Sequence, residues 1–198
     1  MATYLVFDTE TTGKIPNHIK TIYSNNIKDI PRLTQIAWTL YSDSGEVINK
    51  RCELIKPNGW EMPTGDFHRD HGFSQEKSMK FGIPIEYILP DFADKILKAD
   101  KLVAHNMFFD EMIMAAEFIR LNAVVGKRID KICTMQLSTE YCQVPSPYKR
   151  GTYKWPTLME LHTHLFKVGF EGAHDAMVDV EACGRSLFEL MKRGIITE

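Results

Sequence analysis

The chain is poor in the features that would place it outside the ordinary globular class. Its four cysteines, Cys52, Cys133, Cys142 and Cys183, are scattered along 198 residues with no CxxC pair. That spacing argues against a disulfide framework or a cysteine zinc site, and in a reducing compartment the four read as small buried hydrophobes. No apolar run approaches the ~20 residues of a membrane span. The N-terminus lacks the basic region and apolar stretch of a signal peptide, so a cytoplasmic location with no membrane partner is expected. Internal repeats and low-complexity tracts are absent. A formal net charge of −2 is not the basic excess that by itself marks a polyanion binder, although a local basic patch or bound metal ions can serve instead.

What is present suits one domain, residues 1–198, with a sizeable core: three Trp, seven Tyr and eleven Phe supply the bulk. The coarse pattern is α/β. Residues 4–10 read as a first strand, and residues 15–31 as a polar, turn-rich insertion. Residues 34–42 and 46–55 read as strands joined by a turn at Asp43-Ser44-Gly45. A loop through Asn58-Gly59, Pro63 and Gly65 follows. Helices are expected over 85–99, 106–121, 157–166 and 175–192, with a short strand at 101–105, and a strand or helix start at 130–135. Strands first in a meander, then alternating with helices, suit a mixed sheet covered by helices.

Three segments carry acids where apolar residues are expected. In LVFDTETTG, Asp8 and Glu10 share one face at the end of strand one. Two like charges so placed need a compensating cation, and Mg²⁺ accepts one or two carboxylates well. A strand running out into a solvated turn explains the pair equally well on its own. In AHNMFFDEMIM, Asp110 occupies a slot in a stripe of Met107, Met114, Phe118 and Leu121. Asn106 reads as the N-cap, and a role for Asp110 in the helix dipole is the alternative to a functional one. In the last helix Ala176, Val180, Cys183, Leu187 and Leu190 share a face. Asp179 lies roughly 60° from that stripe's centre, aimed toward the core. Asp175 reads as its N-cap, His174 as a loop residue reaching over, and Glu181 with Arg185 as a surface i, i+4 pair.

Together, FDTETTG, HNMFFD and HDAMVD resemble, in this order, the three motifs of the DEDD-type 3′–5′ exonucleases, in the DnaQ-like subgroup with a histidine in the third motif (DEDDh). PRLTQIAWTLYSDSGEV, HGFSQE, LVAHN and PTLMELHTHLF extend the likeness over most of the chain. The resemblance implies a ribonuclease-H-like fold of about five strands, the first three antiparallel, with the site at the end of strand one. It implies metal-dependent release of nucleoside 5′-monophosphates from a nucleic acid 3′ end. Single-stranded DNA is the first expected substrate and RNA the second, with a polymerase as a candidate partner. Two Mg²⁺ or Mn²⁺ ions would be held by Asp8, Glu10, Asp110 and Asp179, with Asp8 bridging and His174 as general base. Thr11, Thr12, Gly13, Ile15, His105 and Asn106 are the implied substrate contacts. Lys14 stands where the family often has an apolar wedge, which leaves Ile15 to serve.

Two smaller features accompany these motifs. YKRGTYKW interleaves cations and aromatics, which suits single strands or a solvated loop. His68, Arg69 and His71 form a weaker patch. The alternative function is a non-catalytic nucleic-acid-binding or polymerase-partner module with the same fold.

Overall fold

The computed structural model describes residues 2–124 and 126–197. β1 (Thr3–Thr11), β2 (Leu33–Ser42) and β3 (Val47–Leu54) come first. Then follow α1 (Asp66–Asp70), α2 (Gln75–Phe81), α3 (Ile85–Lys98), β4 (Lys101–Ala104) and α4 (Met107–Arg120). β5 (Asp130–Cys133), α5 (Thr134–Leu137), α6 (Thr139–Cys142), α7 (Leu158–Phe166) and α8 (Ala176–Lys192) complete the order. Residues 15–31 hold a single 3-10 turn, Ile27–Asp29, and are otherwise irregular, as their turn-rich composition implies.

The sheet order is β3-β2-β1-β4-β5. β1, β2 and β3 pair antiparallel, and β1–β4 and β4–β5 pair parallel. This is the mixed five-stranded sheet the resemblance implies. Strand alternation divides the core in two. Leu5 and Phe7 pack with Phe92 of α3 and Ile113 of α4 on one face. Tyr4 and Val6 pack with Leu161 of α7 and Val180 of α8 on the other. β1 is buried from both sides, which explains its near-continuous apolar run.

Two close fits set the site's frame. A Cβ added at Gly184 would lie 2.8 Å from the Tyr41 hydroxyl, so glycine lets α8 sit tightly on β2. The β1–β4 ladder covers only Tyr4 to Val6. Beyond Val6, β1 has no strand on its β4 side, and its polar groups there are free to meet α4.

Several expectations need correction. α1 and α2 occupy a stretch, between the loop at Gly65 and the helix at 85, for which no element was expected. They are too short for periodicity to reveal, although Ser74 caps α2 by accepting from Lys77 N. Asn106 takes the N-cap position of α4 in a left-handed conformation (φ 79°), and its side chain makes no capping hydrogen bond. Leu121 lies past the end of α4 and is exposed. Glu181 and Arg185 do not pair: Glu181 meets Lys50 of β3, and Arg185 meets His162 of α7 at 3.4 Å. Cys52 is exposed and Cys133 half-buried, so only Cys142 and Cys183 behave as buried hydrophobes. Among the described residues no helix is long and apolar enough to cross a membrane.

Candidate active site

The four acids of the three motifs arrive on three elements at the open end of β1. Asp8 and Glu10 come from β1, opposite Ala37 and Gln35 of β2. The β1–β2 register shifts between Glu10 and Thr11, a bulge that ends regular pairing beside the site. Asp110 is 2% exposed in the first turn of α4. Its Oδ1 accepts from Thr9 N at 3.0 Å and from Thr9 Oγ1 at 2.8 Å. The strand end that lost its β4 neighbour thus fixes the carboxylate by its own backbone.

Asp179 lies in the first turn of α8, and its Oδ2 accepts from His174 N at 3.0 Å. The start of α8 is pinned firmly. Asp175 Oδ1 caps Met177 N and Val178 N at 3.0 and 3.4 Å. Ala176 N donates to Gln35 Oε1 at 3.0 Å, tying the helix to the β2 residue facing Glu10. His174 precedes this cap with φ at 71°, a left-handed backbone that turns its exposed ring back over the site.

Electrostatics follow from the crowding. Burial raises the Asp8 carboxyl well above its ordinary value, and the charges of Asp110, Asp179, Glu10 and Asp175 raise it further. Burial, with Asp179 and Asp110, pushes Glu10 up to about 8. Burial pushes Asp110 up to about 7 even though the Thr9 hydrogen bonds favour its charged form. Asp179 is raised by burial, partly offset by the His174 N–H. Among the described residues none of these four acids pairs with a lysine or arginine. Ligand atoms of Glu10, His174 and Asp179 lie within 4.8 Å of one another. Converging carboxylates without a protein cation are the donor set a hard divalent ion takes. The residues therefore fit the implied ions, and His174 stands close enough to share that coordination space.

The expected substrate contacts divide. Thr11 Oγ1 donates to Gly13 O at 2.6 Å, and Thr12 Oγ1 accepts from Arg32 N at 2.9 Å. Both hydroxyls shape the turn. Ile15 is half-buried against the α3–α4 core. His105 uses both ring nitrogens, on Thr134 Oγ1 and Pro156 O, each at 3.0 Å, and burial lowers its pKa to about 4. These bonds fix the ring just past the end of β4. Of the weaker histidine patch, His68 is buried against Thr11 O at 3.1 Å, and Arg69 is spent on Asp66 and Asp70. In the aromatic loop Lys154 is bound to Glu160, while Tyr148 is exposed.

Three contributions lie beyond the sequence reading. Phe67, left unassigned there, and His71, placed there only in the weaker patch, meet the His174 ring edge-on, with centroids 5.1 and 4.8 Å away. Their i, i+4 spacing was the available signal. Asp175 adds charge to the acid cluster as well as capping α8. Glu117 is 1% exposed and holds Arg32 through Nε at 3.0 Å and Arg120 through Nη1 at 2.6 Å. It also accepts from Leu33 N at 3.2 Å. Arg32 O in turn accepts from Thr12 N at 2.9 Å, so this cluster braces the turn after Glu10.

Comparison with known proteins agrees with this frame. The RNase_T family of exonucleases matches residues 5–187. The chain is 33% identical over 193 residues to the DNA polymerase III PolC-type protein of Streptococcus pneumoniae, covering 96% of this chain and 11% of that protein. The Streptococcus mutans protein of the same name is 31% identical over 192 residues, with the same coverage. The chain thus spans about a tenth of the length of these relatives. Escherichia coli exonuclease I in complex with a dT13 oligonucleotide superposes with a TM-score of 0.74 at 18% identity, over 98% of this chain and 42% of that one. The chain belongs to the RNase_T exonuclease family, and its fold is the ribonuclease-H-like mixed α/β sheet.

Proposed function

We propose that this chain is a metal-dependent 3′–5′ exonuclease domain of the DEDDh type. It hydrolyses the terminal phosphodiester of DNA, with RNA as a second substrate class, and releases nucleoside 5′-monophosphates. The observation that carries the reading is the convergence of Asp8, Glu10, Asp110 and Asp179 with no protein cation, beside the exposed imidazole of His174. Similarity to proteins named DNA polymerase III supports DNA as substrate and a polymerase as partner. The fold shared with an exonuclease seen with dT13 supports a single strand.

Asp8, Glu10, Asp110 and Asp179 would hold the divalent ions, Mg²⁺ or Mn²⁺. Two such ions would supply the positive charge that lets this acidic pocket accept a phosphate and would stabilise both attacking and leaving oxygens. Thr9 fixes the Asp110 oxygens, and the α8 cap fixes Asp179. His174 takes the proton of the attacking water as the new P–O bond forms. The bond to the 3′-oxygen of the penultimate nucleotide breaks, and that oxygen takes a proton from solvent to become the 3′-hydroxyl of the shortened strand. Phe67 and His71 keep the His174 ring over the acids.

The test uses 5′-labelled single-stranded DNA, duplex DNA and RNA with Mg²⁺, Mn²⁺ or EDTA. A ladder shortening from the 3′ end is expected with metal and not with EDTA. Asp8→Ala should lower the rate about 10²–10³-fold, on the scale of losing one charge-stabilising group. Equal cleavage by Asp8→Ala, or none by the wild type on any substrate, sinks the reading and favours the non-catalytic binding module.

A further inference from the structure

A cavity of about 430 Å³ opens beside the Thr12–Gly13 turn. Thr12, Gly13, Lys28, Arg32, Trp60 and Arg120 line it, with Asp29 at its wall. The catalytic reading gives its Lys28 and Trp60 side chains no role. Its charges are unevenly engaged. Arg120 is consumed by Glu117 and by the Pro31, Ile27 and Ile30 carbonyls. Arg32 gives Nε and Nη2 to Glu117 and, among the described residues, leaves Nη1 without a partner. Lys28 is exposed and, among the described residues, forms no ion pair. Glu117 offsets one arginine and Asp29 a second cation, so one positive charge remains in excess.

One wall is aromatic. The Arg32 guanidinium lies over the Trp60 ring, 5.3 Å from its centroid, and Trp60 is only half-buried. A cation over one face of a partly open indole suits a phosphate on the cation and a base against the rest of the aromatic surface. The position suits a strand as well. Thr12 follows Glu10 by two residues, at most about 7 Å along the backbone, which is one or two nucleotides.

We propose that this cavity is a subsite for the single strand, holding a phosphodiester on Lys28 and Arg32 and a base on Trp60, one or two nucleotides before the 3′ end. The inference rests on the exonuclease reading for the direction of the strand. Its test reads binding, not cleavage. A 5′-fluorescein ten-nucleotide dT strand with phosphorothioate linkages is titrated by anisotropy in Mn²⁺, and thymidine 5′-monophosphate is titrated alongside.

Trp60→Ala should weaken strand binding about fivefold or more, with Trp60→Phe recovering most of it. Lys28→Gln, a change at an exposed side chain, should lower the salt-dependence slope by about one. The loss on the strand should exceed the loss on the mononucleotide at least fivefold. Unchanged strand binding in both variants overturns the proposal. So do equal losses on strand and mononucleotide, which would assign the cavity to a single nucleotide. A protein that binds in the expected way yet cleaves nothing leaves this subsite standing and removes only the exonuclease reading.

Discussion

Asp110 and Glu117 lie two turns apart on α4 and are buried alike, at 2% and 1% exposure. Their surroundings differ. Glu117 meets two arginines and the Leu33 N–H, so its charge is answered within the protein. Asp110 meets only Thr9 and faces three other acids. A buried charge without a cation is costly, and the cost persists only where something outside the chain answers it. The same helix thus carries one acid that braces the fold and one that is held ready for a ligand. Burial raises the Asp110 pKa despite its Thr9 hydrogen bonds.

The largest test of that contrast is Asp110→Asn. The amide oxygen can still accept both Thr9 hydrogen bonds, so the fold should persist. Metal-dependent cleavage should fall about 10³-fold, the scale of losing a charge-stabilising group. Glu117→Gln should do the reverse. Leaving two arginines short of their partner should cost about 3 kcal/mol in urea melts. The Mn²⁺ concentration at half-maximal protection against unfolding should hardly move. If Glu117→Gln abolished metal binding while leaving stability intact, the two roles would have to be exchanged.

A smaller effect concerns pH. Glu10 and Asp110 are raised in the fold, to about 8 and about 7, so the metal-free fold binds their protons more tightly than the unfolded chain does. Its stability is therefore greatest below the ordinary carboxyl range and declines as pH rises from about 4.5 toward 8. The decline should be smaller in Asp110→Asn, which removes one of the two titrating groups. Thermal melts in EDTA across this range check it. Adding Mn²⁺ should raise Tm more at pH 8 than at pH 5, since the ion replaces the lost protons. A flat Tm in EDTA would mean that the acids are better solvated than their burial implies.

Much of this arrangement is legible without coordinates. The apolar run before Asp8, the glycine turns and the helical stripe around Asp179 each follow from local periodicity. The Asp175 cap was readable as the residue before an apolar stripe. α1 was not, because five residues make too short a stretch to show a period, and its helix is held by Phe67 packing on His174. Asn106 has a capping residue's side chain but is used for its tolerance of a left-handed backbone. Glu181 faced a helical partner in sequence, but Lys50 on the neighbouring strand reached it instead.

The order and type of the main elements, and the three acidic motifs, were determined by sequence alone, because they depend on neighbours within a few residues. Which acid stays uncompensated was decided by tertiary structure. Asp110 and Glu117 have the same charge, the same helix and the same buried stripe. The i, i+3 spacing of Glu117 and Arg120 hints at one partner, but only folding brings Arg32, eighty-five residues earlier, to Glu117 and Thr9 to Asp110. That part of charge compensation acts through space, and sequence spacing holds no record of it.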